Sequence, residues 1–146
     1  PHICIAQLLK RTHLPLINIV DPIGAELRVR KLRRVALFGT VFTVEGGLWG
    51  QLQAHSPDVE IVKPQPDEIA FIGKAYQRIL DTQQGNDADT AGLRRIAADL
   101  QRRDGVETIL LAGTDLAVIF DEANAGFPVI DVARLHIDAI VERLAG

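Results

Sequence analysis

The sequence predicts an α/β protein, with a parallel sheet covered by helices on both faces. Three observations carry that expectation. Short apolar runs such as Val35-Ala36-Leu37-Phe38 read as strands, and residues such as Leu93, Ile96, Ala97 and Leu100, spaced i, i+3, i+4 and i+7, read as one face of a helix. The two kinds of segment alternate along the chain, which is the pattern of a parallel sheet with helical crossovers.

Residues 2–12 predict a helix with Ile3, Ala6 and Leu9 on its apolar face and Pro1 in its first turn. After Pro15, the run Leu16-Ile17-Asn18-Ile19-Val20 predicts a buried strand. Asp21-Pro22 predicts the next helix start, with Asp21 as cap and Pro22 at the first helical position. That helix closes in the basic stretch 28–34, and residues 35–38 form the second strand, running into Gly39-Thr40. A short helix follows at about 44–53, then a turn at Ser56-Pro57-Asp58 and a third strand at 59–62. Pro64 and Pro66 break the chain before a long helix whose opening Asp67 and Glu68 suit the positive end of a helix dipole. Beyond a polar loop at 83–89, Thr90 is the expected cap of a helix over 90–103, ended by Asp104-Gly105. A strand at 107–111 leads into Ala112-Gly113-Thr114-Asp115. A short helix, a loop at 124–126, a strand at 128–131 and a final helix complete the chain.

Charged residues make up 24% and hydrophobic residues 47% of the 146, ordinary values for a soluble globular protein. The net charge of −3 and a pI near 5.8 argue against nucleic acid or an anionic membrane as general partners. No apolar stretch approaches the roughly 20 residues of a membrane-spanning helix. The N-terminus lacks the sections of a signal peptide, so a cytoplasmic setting is expected. Cys4 is the single cysteine, which excludes an intramolecular disulfide. The chain has no methionine and opens within an expected helix, which predicts that a strand and further sequence precede Pro1.

Ligands of parallel α/β sheets bind beyond the carboxyl ends of the strands. Three such ends carry hydroxyl or acidic groups: Gly39-Thr40, Gly113-Thr114-Asp115 and Asp131. Glycine allows close backbone approach to a ligand. A threonine hydroxyl and the N–H groups that follow can hold a carboxylate or phosphate. The same residues also make ordinary turns and helix starts.

The segment Leu37-Phe38-Gly39-Thr40-Val41-Phe42-Thr43-Val44-Glu45 is similar to a strand-loop of the aspartate/glutamate racemase family, commonly Leu-Leu-Gly-Thr followed by Phe-Thr-Met-Glu. Leu110-Leu111-Ala112-Gly113-Thr114-Asp115-Leu116 resembles that family's second catalytic loop, commonly Leu-Gly-Cys-Thr-Glu. Phe127-Pro128-Val129-Ile130-Asp131, with Leu135-His136, resembles its closing strand and helix. Pro1-His2 resembles the end of the first catalytic motif, a Cys-Asn-Thr followed two residues later by His. The resemblance implies two similar α/β domains with the active site between them, one complete here and one in part. Residues 1–35 would be part of the first domain and the crossover, 36–112 the second domain, and 113–146 the return to the first with the C-terminal helix. It also implies a homodimer and an amino-acid racemase needing neither pyridoxal phosphate nor metal. Two thiols on opposite faces of the substrate α-carbon would remove and return the α-proton. Gly39, Thr40, Thr114, Asp115, His136 and His2 would line the substrate, a small acidic amino acid or related carboxylate. Neutral donors suit such a site because they stabilise charge developing during deprotonation.

The chain departs from that pattern at the thiols. Aligned through Thr114-Asp115, the second catalytic cysteine falls on Gly113, and the first would lie before Pro1. Cys4 matches neither and reads as a small buried hydrophobe. Either another residue substitutes, or the reaction differs, or catalysis is lost. His136 is one candidate substitute, with capping near a helix start as its other reading. Asp115 is the second, a general base if burial raises its pKa and otherwise an N-cap. The alternatives to a racemase-like isomerase are a non-catalytic carboxylate binder and a decarboxylase or double-bond isomerase of the same superfamily.

Other constellations dissolve. Ser56 is the single serine and sits in a Pro-flanked turn, which argues against a serine-histidine-acid triad. No zinc spacing, phosphate loop or dinucleotide fingerprint is present. Trp49, beside glycines, reads as core or interface. The cluster Arg28, Arg30, Lys31, Arg33 and Arg34 complements a helix C-terminus rather than marking a nucleic-acid site.

Overall fold

A computed structural model describes residues 7–8, 10–13 and 16–145. His2, Cys4 and most of the helix expected at 2–12 lie outside the described residues. Four strands form one parallel sheet in the order β2-β1-β3-β4: β1 (Arg34–Phe38), β2 (Glu60–Val62), β3 (Thr108–Leu111) and β4 (Val129–Asp131). The helices are α1 (Val20–Val29), α2 (Val41–Glu45), α3 (Gly47–His55), α4 (Pro66–Thr82), α5 (Asp87–Asp104) and α6 (Val132–Ala145).

Alternate strand residues face two separate cores, so both faces of the sheet are covered, as expected from the apolar runs. Ala36, Phe38, Ile109 and Leu111 pack with Ile72 and Ile79 of α4 and Leu93 and Leu100 of α5. Val35, Leu37, Leu110 and Ile130 pack on the other side with Ile23 and Leu27 of α1, Leu52 of α3 and Val132 of α6. β4 pairs with β3, placing Leu111 opposite Asp131, so residues 129–131 belong to this same sheet.

The run at 16–20 is not a strand. The Asn18 side-chain oxygen accepts from the Val20 N–H at 3.4 Å, and its carbonyl accepts from the Asp21 N–H at 3.1 Å. Such local bonds compete with a strand ladder and turn the chain into a helix. α1 therefore starts at Val20, with Ile19 at the cap and Asp21 and Pro22 inside the first turn, where proline is tolerated. The single helix expected at 44–53 is two, α2 and α3, divided at Gly46. α5 begins at Asp87 instead of Thr90 because the Asn86 side-chain oxygen accepts from the Asp89 N–H at 2.8 Å and caps the helix earlier. Gly105, at φ +66°, ends it in the left-handed conformation that glycine adopts without strain.

Two carboxylates tie these elements together. Asp89, buried on α5, is bonded by Arg78 of α4 and by the Asn86 amide. Glu107 accepts from the backbone N–H groups of Arg33 and Arg34 at 2.6 and 2.8 Å, joining the start of β1 to the approach to β3. Arg78 holds the Asp89 carboxyl below its ordinary range, and those two backbone bonds do the same for Glu107. A carboxyl depressed in the folded state adds stability above its unfolded pKa near 4, and that stability is lost as pH falls through the folded value. Urea unfolding at pH 7, 5 and 3 is therefore expected to show falling stability. Asp89→Asn should lose roughly 1–3 kcal/mol at pH 7 and flatten the acid slope. An unchanged slope in that variant would remove Asp89 from the account.

Candidate active site

Phe38, Leu111 and Asp131 end their strands level with one another. The chain leaves these ends through Gly39-Thr40, Ala112-Gly113-Thr114 and Val132-Ala133, and a cavity of about 270 Å³ lies among the exits. The segment after β1 contributes Phe42, Thr43, Gly47, Leu48 and Gln51, and the segment after β3 contributes Ala112, Gly113 and Thr114. Ile19 closes one side, and Val132 and Ala133 another. The lining is apolar except for the residues Thr43, Thr114 and Gln51, and it holds no ionisable side chain among the described residues. A small cavity with few polar groups fixes the orientation of a ligand.

The exits approach closely. A Cβ added to Gly39 would stand 3.2 Å from the Ala112 carbonyl oxygen. Thr40 does not line the cavity: its hydroxyl oxygen accepts from the Thr43 N–H at 3.1 Å, capping α2, and lies 2.9 Å from the Thr43 hydroxyl. Of the sequence-derived candidates, Thr114 and Gly113 face the cavity, and Gly39 and Thr40 buttress it.

Asp115 turns away toward α4. It accepts from the Tyr76 hydroxyl at 2.8 Å, the Gln83 amide at 3.2 Å and the Thr114 hydroxyl at 3.3 Å. The Tyr76 bond, first among these, holds the carboxyl low, whereas burial and the facing Asp115 push the Tyr76 phenol up to about 12. Asp115 thus neither caps the following 3₁₀ turn (Thr114–Val118), whose cap is Gly113, nor has its carboxyl raised toward neutrality. His136, in α6, places Nε2 3.0 Å from the Ile17 carbonyl and is absent from the cavity lining, so it ties α6 to the segment before α1. That bond requires the proton on Nε2. Asp131 accepts from the Ala133 and Arg134 N–H groups at 2.9 and 3.1 Å and caps α6, as its position predicts. His2 lies outside the described residues.

Three residues escaped sequence reasoning. Thr43 stands in the quoted Phe-Thr segment but carries the same hydroxyl as Thr40, and nothing local says which one faces a ligand. Gln51 comes from a separate helix. Tyr76 comes from α4, and its ring lies where a Cβ on Gly113 would be, 2.3 Å away at Cε2. The basic cluster is partly paired: Arg30 with Glu26 and Glu122, and Arg34 with Glu60. Among the described residues no group of three or more His, Cys, Asp or Glu could hold a metal ion, and no helix is long and apolar enough to cross a membrane.

Fold and cavity together define an α/β protein with a small cavity at the carboxyl ends of a parallel sheet, the place where ligands of such sheets bind. The chain belongs to the Asp/Glu/Hydantoin racemase family, whose match covers residues 1–140. Its fold is similar to that of a Yersinia pestis protein assigned to the Asp/Glu racemases, with a TM-score of 0.89 at 20% identity over 99% of this chain and 63% of the other. An aspartate racemase homologue from Pyrococcus horikoshii matches with a TM-score of 0.88 at 21% identity, over 100% of this chain and 63% of that one. Picrophilus torridus aspartate racemase matches with a TM-score of 0.66 at 22% identity, over 87% and 52%. The chain therefore spans less than two thirds of the length of these solved structures.

Proposed function

We propose that this chain carries one wall of a cofactor-independent, racemase-like isomerase site for aspartate, glutamate or a related small carboxylate. The observation behind this reading is the cavity at the exits of β1, β3 and β4, whose lining includes Thr43, Thr114 and Gln51 and, among the described residues, no ionisable side chain. Neutral donors hold a carboxylate and stabilise the charge that develops when its α-proton leaves. The proposed reaction is α-proton abstraction and return without pyridoxal phosphate or metal. The proposed setting is a cytoplasmic homodimer.

A second reading, a carboxylate binder without catalysis, is favoured by one observation: Gly113 offers no proton carrier, and the Tyr76 ring occupies the space beside it. Another superfamily reaction at the α-carbon, decarboxylation or double-bond isomerisation, would face the same lack.

The test follows α-proton exchange by NMR in D₂O, using the protein as expressed from its gene and both enantiomers of aspartate and glutamate. Deuterium incorporation with matching loss of optical activity supports racemisation. Ligand-induced shifts of Thr43 and Thr114 amides without exchange, in folded protein, identify the binder. Neither shifts nor exchange with any of these acids overturns the acidic amino acids as ligands.

A further inference from the structure

We propose that Tyr76 is the positioning residue of the ligand-facing turn, holding Thr114 in place from the space that a side chain at position 113 would fill. The inference rests on the proposed reading of the cavity only for its effect on ligand; its structural part stands alone.

α4 delivers Tyr76 into the core beside Ile72, Ala75 and Leu116, with only 9% of the residue exposed. A Cβ on Gly113 would lie 2.3 Å from Cε2, 2.8 Å from Cζ and 2.9 Å from Oη of that tyrosine. Real Cβ atoms essentially never come within 3.0 Å of a non-bonded heavy atom, so the ring and a side chain at 113 exclude each other. The ring cannot yield cheaply, because its body is packed in the core and its hydroxyl is bonded to Asp115 at 2.8 Å. Gln83, just beyond the end of α4, reaches the other Asp115 oxygen at 3.2 Å. The helix and its C-cap residue thus hold a single carboxylate at two points.

Thr114 stands between these attachments. Its predecessor lies beside the Tyr76 ring with no room for a Cβ, its successor is held by the Tyr76 hydroxyl, and the turn is closed by the Leu116 N–H donating to the Gly113 carbonyl at 3.2 Å. Thr114 itself faces the cavity. The raised phenol keeps its proton at neutral pH and donates it toward Asp115, which suits a latch and not a base.

The test uses Tyr76→Phe, which keeps the ring and removes only the hydroxyl, with hydrogen exchange of the Leu116 amide as the readout. Exchange at Leu116 should accelerate roughly tenfold while β1 and β3 amides keep their protection. Unchanged exchange at Leu116 would overturn the latch. Gly113→Ala should lower the unfolding midpoint in the parent and cost much less in a Tyr76→Ala background, or in Tyr76→Leu if the alanine variant does not fold. Equal costs in both backgrounds would overturn the mutual exclusion. Aspartate titration, read by amide shifts, should show weaker binding in Tyr76→Phe. A parent that binds no aspartate while both structural results hold defeats the carboxylate reading and leaves the latch standing.

Discussion

Replacing Phe38 by alanine is expected to cost about 3–5 kcal/mol, the usual range for truncating a fully buried phenylalanine. Phe38 ends β1, an inner strand paired with both β2 and β3, and is 0% exposed. Its ring packs toward Phe127 at a centroid distance of 6.2 Å, and Phe127 in turn meets Phe120 edge-on at 5.3 Å. Deleting it opens a cavity beneath α4 and α5 that flanking strands cannot close, because the ladder fixes their spacing. The Phe38 carbonyl also accepts from the Ala112 N–H at 2.7 Å, so backbone displacement there is transmitted to the exit of β3. For a domain of this size each kcal/mol shifts the midpoint by roughly 2–4 °C, so a fall on the order of 10 °C is expected. Phe42→Ala is the contrast. That ring is 64% exposed and lines the cavity, so stability should change by less than about 0.5 kcal/mol while ligand binding changes. Urea unfolding of both variants decides it, and a Phe38→Ala loss below about 1 kcal/mol would contradict the core described above.

The legible parts of this fold are those dictated by pattern over several residues. Val35–Phe38 of β1 and Ile109–Leu111 of β3 are apolar because both faces of the sheet are covered, and α4 and α5 carry long helical periods. The misreadings occur where one side chain decides between competing local structures. Asn18 converts an apolar run into a turn, and Asn86 caps α5 ahead of Thr90. The cavity's place was legible from the Gly-Thr exits, and Gly113 was legible as a position without a proton carrier. What fills the space at 113 was not, because Tyr76 reaches it by the packing of α4 against the β3 exit. Likewise, Asp115 reads locally as a helix start, and only the tertiary arrival of Tyr76 and Gln83 turns it into an anchor. Thr40 and Thr43 show the same limit at short range, since Thr40 is consumed as a cap and Thr43, bonded to it, is the one of the two that lines the cavity.

That division of labour makes Thr114→Val and Thr40→Val an informative pair. Valine keeps the shape of threonine and removes the hydroxyl, so any change in binding reports a lost hydrogen bond. A neutral donor to a carboxylate contributes about 1.5–3 kcal/mol, so Thr114→Val should weaken aspartate or glutamate binding by roughly 10- to 100-fold. Its stability should change little, because its side-chain bond to Asp115 is long at 3.3 Å and exposed. Thr40→Val should do the reverse, costing about 1 kcal/mol through the lost cap while leaving affinity nearly unchanged. No described lining residue titrates, so parent affinity should also be flat between pH 6 and 9, where the carboxyls of the acids stay ionised. Isothermal titration across that range, beside thermal unfolding of both variants, measures all three. Equal affinities in the parent and Thr114→Val would move the ligand away from the β3 exit. A binding loss in Thr40→Val alone would show that the Gly39-Thr40 turn, and not the cavity described here, holds the carboxylate.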